Sequence, residues 1–136
     1  MLELKSDKVS VNAAQEVVFK FLCDLNNYKF LMPDSVSDWQ SEVGHCTFKI
    51  SGMYTIGLQM AHSEPNNKIK LNHFGKVPFN YTLDISIEAS ADEKSECTMV
   101  FNGEVNPFMQ MMVEKPLSNF FNYLAHKLHK HFENHS

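Results

Sequence analysis

The order of segments along this chain predicts an α+β fold in which one antiparallel sheet is folded around a single C-terminal helix. Two patterns carry that expectation. Short stretches of alternating apolar and polar residues run from about Val36 to Val105, and a long apolar stripe at helical spacing closes the chain from about Pro107 to Phe132. The final helix is the only large element left to cover the apolar face of the sheet. Where the sheet curls away from that helix, a pocket is expected.

Residues 2–11 read as an opening strand. Asn12 is a good helix N-cap, and Asn12, Ala13, Ala14 and Gln15 resemble a capping box, with Gln15 placed to answer the cap backbone. Val17, Val18, Phe21, Leu22 and Leu25 then recur at helical spacing, and Asn26-Asn27 is expected to end that helix. The apolar run from Tyr28 to Pro33 suits one further helical turn, which Pro33 stops.

From residue 36 the period changes to two. Strands are expected at about 36–42, 45–51, 54–63, 68–74, 79–89 and 96–106, about seven in all with the opening strand. Turn residues separate them: Val43-Gly44, Ser51-Gly52, Pro65-Asn66-Asn67, Gly75-Lys76-Val77-Pro78 and Ala91-Asp92-Glu93-Lys94. Connections this short favour antiparallel neighbours. Alternation is clearest at Phe79, Tyr81, Leu83, Ile85 and Ile87 against Asn80, Thr82, Asp84, Ser86 and Glu88. Gly57 and Gly103 suggest a bulge or bend. Pro107 suits the first turn of the last helix, and Pro116 suggests a kink or a break. Beyond it, Leu117, Phe120, Phe121, Leu124, Leu128 and Phe132 form the apolar stripe.

At 136 residues the chain is one domain, large enough to bury about two-thirds of its unfolded surface without a disulfide or metal. No apolar run reaches the roughly 20 residues that a membrane span needs, and the N-terminus shows no signal-peptide pattern. Three widely spaced cysteines, Cys23, Cys46 and Cys97, read as free thiols in a reducing compartment, so a cytoplasmic location is expected. All 12 bases are lysines, set against 16 acids. Without arginine the chain lacks the side chain that grips phosphates and guanine edges in bidentate fashion. A nucleic-acid partner is therefore not expected.

With the elements placed, the chain resembles the helix-grip fold of the Bet v 1-like, START/polyketide-cyclase (SRPBCC) superfamily. Three passages carry the resemblance to its small bacterial members: Val11-Asn12-Ala13 through Phe21-Leu22-Cys23-Asp24-Leu25, Asn26-Asn27-Tyr28 with Leu31-Met32-Pro33, and Pro116-Leu117-Ser118-Asn119-Phe120. The resemblance implies a curved antiparallel sheet around the long helix, two short helices after the first strand, and an apolar cavity between sheet and helix. Superfamily members use that cavity for sterols, lipids, polyketides, plant hormones and quinone-like molecules. Some catalyse cyclisation or hydrolysis, and many only bind and carry.

A pocket of this kind is mostly apolar, with a few polar groups fixing orientation. Its expected lining is Tyr54, Leu58, Met60, His62, Leu71, His73, Tyr81, Leu83, Phe101, Phe108, Met112, Phe120 and Leu124, and its expected partner is a hydrophobic or amphipathic small molecule. The chain carries no nucleophile elbow, no P-loop, no C-x-x-C and no dinucleotide fingerprint, so no catalytic residue and no cofactor is assigned. His126, His129, His131 and His135 include pairs at helical spacing, but without an H-E-x-x-H pattern they read as a solvated helix end and not as metal ligands. Three functions stay open: binding or carrying, a cyclase- or hydrolase-like enzyme using His73, Tyr81 or Tyr54, and an interaction domain whose cavity is filled by its own aromatics. Eleven phenylalanines keep the last in play.

The charge pattern yields a first prediction. In fluorescence anisotropy at moderate salt, neither duplex nor single-stranded oligonucleotides should bind, because counterion release needs clustered cations. Salt-dependent micromolar binding would contradict it.

Overall fold

The computed structural model describes residues 2–52 and 54–133. Its elements are β1 (Leu2–Lys5), β2 (Val9–Val11), α1 (Gln15–Cys23), a 3-10 helix (Leu25–Leu31), β3 (Val36–Glu42), β4 (His45–Ile50), β5 (Tyr54–Glu64), β6 (Lys68–His73), β7 (Tyr81–Ala91), β8 (Lys94–Gly103) and α2 (Pro107–Glu133). The strands form one antiparallel sheet in the order β1-β8-β7-β6-β5-β4-β3, with β2 also on β8. The α+β helix-grip arrangement expected from the sequence is the one observed. Among the described residues no helix is long and apolar enough to cross a membrane.

The opening strand is split in two. Leu2–Lys5 pairs with β8 near Gly103 and Val9–Val11 pairs with β8 near Cys97. Between them buried Ser6 bridges the gap in the ladder: its backbone N–H donates to the Met99 carbonyl at 2.8 Å and its hydroxyl accepts the Met99 N–H at 2.9 Å. The break is where α2 docks. Asn122 accepts the Asp7 N–H at 2.8 Å, His126 lies 2.9 Å from the Asp7 carboxylate, and His129 donates to the Ser10 carbonyl at 2.6 Å.

The predicted capping box is corrected by the structure. Ala14, in extended conformation, occupies the cap of α1 and makes no side-chain cap bond. Gln15 is the first helical residue, and its amide reaches across to the Ile87 carbonyl at 2.9 Å and to Asn67 at 3.3 Å. A tie to the sheet has displaced the local cap. The helix also ends sooner than expected, at Cys23, because Asp24 accepts the Asn26 N–H and starts the 3-10 helix. Within that segment Tyr28 is fully buried, its hydroxyl donating to the Leu22 carbonyl at 2.9 Å.

The sheet curls at register shifts in β3 between Ser37 and Gln40, in β5 between Met60 and His62, and in β7 between Ala89 and Ala91. Asp38 carries the first of these with φ of 53°. Gly57 and Gly103 are not bulges, since both keep regular partners, Thr47 and Tyr81. They permit close approach instead. A Cβ on Gly57 would stand 1.8 Å from the Phe74 carbonyl oxygen, and one on Gly103 would press on the Phe79 ring at 3.0 Å.

Helix α2 starts with Asn106 accepting the Met109 N–H at 2.8 Å, with Pro107 in the first turn. It runs unbroken through Pro116. The ring at Pro116 frees the carbonyl four residues back, at Met112, which lies half-exposed where water can satisfy it. All six predicted stripe residues, Leu117 through Phe132, are buried, and Val113 and Ala125 join them.

Truncating the fully buried Leu124 to alanine should cost about 2–5 kcal/mol in urea unfolding. The same change at exposed Met111 should stay within about 0.5 kcal/mol. Equal losses at both positions would contradict the facing of α2 described above.

Candidate ligand-binding site

The thirteen residues expected to line a cavity fall into three groups. Leu58, Leu71, Leu83, Phe101 and Leu124 are 0 % exposed, and Tyr81 and Phe120 nearly so. The first five present no surface to a water-sized sphere, so in this conformation they are packed core and line no open cavity. Tyr54, Met60 and His73 are half-buried at the margin of that core. His62, Phe108 and Met112 lie outside it.

The outward placements have local causes. Met60 pairs with inward-facing Leu71, but the register shift that follows sets His62 opposite Lys70, on the solvent face. A one-residue slip turns every later side chain over. Phe108 and Met112 sit on the side of α2 opposite the stripe, 72 % and 48 % exposed, with Met111 beside them.

Rings fill the space between sheet and α2. Trp39 stacks on Phe48 with ring centres 5.6 Å apart, and Phe48 stacks on Phe120 at 5.5 Å. Phe120 meets Phe121 edge-on at 5.1 Å, and Phe121 stacks on Phe101 at 4.9 Å. Phe101 lies 5.2 Å from Tyr81, whose ring meets His73 edge-on at 5.8 Å. The series crosses the interior from the edge strand β3 to the end of β6.

Tyr81 is the polar centre of this layer. Its hydroxyl donates to the Gly57 carbonyl at 2.7 Å and accepts the Gly57 N–H at 2.8 Å. The side chain thus acts as a strand partner for β5 beyond the point where β6 gives way to its loop. Burial pushes the hydroxyl's pKa well above the ordinary tyrosine value, outweighing the bond to Gly57 that lowers it. The hydroxyl keeps its proton near neutral pH and donates it to the Gly57 carbonyl. The three cysteines are free thiols, and burial pushes Cys46 and Cys97 up to about 12, far from nucleophilic thiolates.

Several clefts open to solvent. One of about 330 Å³ lies at the mouth of the grip, between the loop before β3, the β4–β5 turn and α2. Pro33, Ser35, Ser51, Pro116, Asn119 and Tyr123 surround it, and its floor is Ile50 and Phe120. A second of about 310 Å³, at the end of β6 and the start of β7, includes His73 and Tyr81. A third of about 570 Å³ lies between the start of α1, the β7–β8 turn and the end of α2, walled by Val17, His131 and Phe132. Of the predicted lining only Phe120 reaches the mouth. Pro33 and Pro116 were legible as helix punctuation, but nothing local placed them on one rim.

Among the described residues no three potential ligands cluster as a metal site. His126 and His129 face Asp7 and Ser10, and His131 packs against the Phe21 ring at 4.7 Å. His135 lies outside the described residues.

If Tyr81 completes the sheet, Tyr81→Phe should destabilise the fold by about 1–3 kcal/mol in chemical denaturation, leaving the Gly57 N–H unpaired while its carbonyl keeps the Phe74 N–H. Gly57→Ala should lose more, because backbone and not a flexible side chain stands in the way. Wild-type stability in Tyr81→Phe would remove that role.

The sequence matches no protein-family model and no curated protein. Solved structures do match it. A START superfamily protein from Mycobacterium smegmatis is 15% identical with a TM-score of 0.77, over 98% of this chain and 99% of that one. A protein from Thermus thermophilus is 13% identical with a TM-score of 0.76, over 99% of each chain. Truncated norcoclaurine synthase from Thalictrum flavum is 12% identical with a TM-score of 0.75, over 99% of this chain and 95% of that one.

Proposed function

Starting from the START-type helix-grip fold that the chain shares with these structures, we propose that it binds or carries a hydrophobic or amphipathic small molecule, a lipid, polyketide or quinone-like compound, in the cleft between the sheet and α2. Phe120 carries this reading. It floors the solvent-open mouth and is also a member of the interior ring layer. Moving that one side chain joins mouth to interior. The fold adds support by analogy, since one structural neighbour is by name a synthase of a small molecule. The reading carries with it a reducing, cytoplasmic setting in which the cysteines remain thiols.

A second reading, an interaction domain with a closed interior, is favoured by the zero exposure of Leu58, Leu71, Leu83, Phe101 and Leu124 and by exposed Phe108, Met111 and Met112. The cyclase- or hydrolase-like alternative loses Tyr81 as an acid or base, because its hydroxyl is committed to both backbone groups of Gly57.

Thermal unfolding against fatty acids, sterols, quinones and fluorescent apolar dyes separates the two main readings. A bound class should add about 2.7 kcal/mol of apparent stability at a hundredfold excess of free ligand over its Kd. No shift across the whole panel would reject the carrier reading in favour of the interaction domain.

A further inference from the structure

Resting on the small-molecule reading above, we infer that the ligand is a planar aromatic or quinonoid ring bearing neutral oxygen substituents, and that it binds by taking the place of the Phe120 ring. The neighbours of that ring set the shape of the space. The face of Phe48 lies parallel to it within 29°, and Phe121 meets it edge-on at 76°. Both neighbours are 1 % exposed, one held by β4 and the other by α2 itself. Rotating Phe120 out therefore leaves a slot faced by the Phe48 ring and bordered by the Phe121 ring.

Phe120 has somewhere to go. A helical phenylalanine has two accessible χ1 wells, and this one already lines the mouth cleft of about 330 Å³. A flat ring entering the slot restores the stacked and edge-on contacts that rotation breaks. A puckered ring, a sterol or an acyl chain has no flat π-face and restores neither.

The rim selects the substituent. Ser35, Ser51, Asn119 and Tyr123 offer neutral hydroxyl and amide groups, and among the described residues no charged side chain lines this cleft. A hydroxyl or carbonyl can be satisfied there. A carboxylate or phosphate would surrender water without gaining a cation.

Isothermal titration calorimetry with 2-naphthol, its saturated counterpart decahydro-2-naphthol, and 2-naphthoate tests the inference. The expected order is 2-naphthol at least about tenfold tighter than either of the others, the ring contacts supplying the difference. Equal affinity for the saturated alcohol, or tighter binding of the naphthoate, overturns the planar neutral class and leaves small-molecule binding intact. No heat from any of the three, with no thermal shift across the apolar panel, overturns both.

Phe120→Ala should tighten 2-naphthol about tenfold, since the binding-competent state no longer requires displacing a ring. Leu128→Ala, which hollows the core under the other half of α2, should give no such gain. If Phe120→Ala does not fold, Phe48→Leu serves: it keeps apolar bulk and removes the stacking face. It should weaken 2-naphthol about tenfold and leave the decahydro alcohol unchanged. Unchanged 2-naphthol affinity in the folded variants overturns the slot.

Discussion

Everything in this molecule depends on burying one stripe of α2 against one face of a curled sheet. The stripe from Val113 to Phe132 shares one core with buried residues from every strand of the sheet except β3, which contributes half-buried Val36 and Trp39. At about 1.5–3 kcal/mol for each large side chain buried, the stripe contributes on the order of 10 kcal/mol gross. The polar contacts orient the helix. Asn122, His126 and His129 seat its C-terminal half on the gap between β1 and β2, and that gap exists because Ser6, not continuous backbone pairing, spans it.

Seating one half of the helix in this way leaves the other half to do something else. The turns before Pro116 carry Phe108, Met111 and Met112 in solvent, and Phe120 lies just past the proline, under the mouth. The ring layer beneath resolves a conflict inherent in the fold. A sheet that curls away from its helix makes a hollow, and an unfilled hollow sacrifices dispersion contacts. Here rings from β3, β4, α2, β8, β7 and β6 fill it, and each makes contact with the next. Stability and ligand space therefore compete for one volume, and any occupant must replace what it removes.

Tyr81 shows how far such a role can lie from what its position suggests. An inward tyrosine among aliphatic neighbours is the natural candidate for orienting a ligand. Its hydroxyl instead completes the hydrogen bonding of Gly57, two strands away, at a place where the Phe74 carbonyl approaches so closely that only glycine fits. The polar tip is consumed by the fold.

The sequence by itself determined the element order apart from the split of the opening strand, the later strand positions to within about three residues, the inward faces of β7 and β8, and all six stripe residues past Pro116. These are local properties: backbone periods of 2 and 3.6 imprint directly on spacing. Tertiary structure alone decided the rest. The face of His62 depends on one extra residue in β5, the role of Gln15 on a carbonyl 72 positions away, and the failure of Gly57 to bulge on the approach of Phe74. Whether Leu58, Leu71 and Phe101 line a cavity or a packed core was beyond any periodicity, because an inward residue looks the same in either. That answer depends on how many rings from six distant elements converge on one space, and pattern along a chain records direction but not volume.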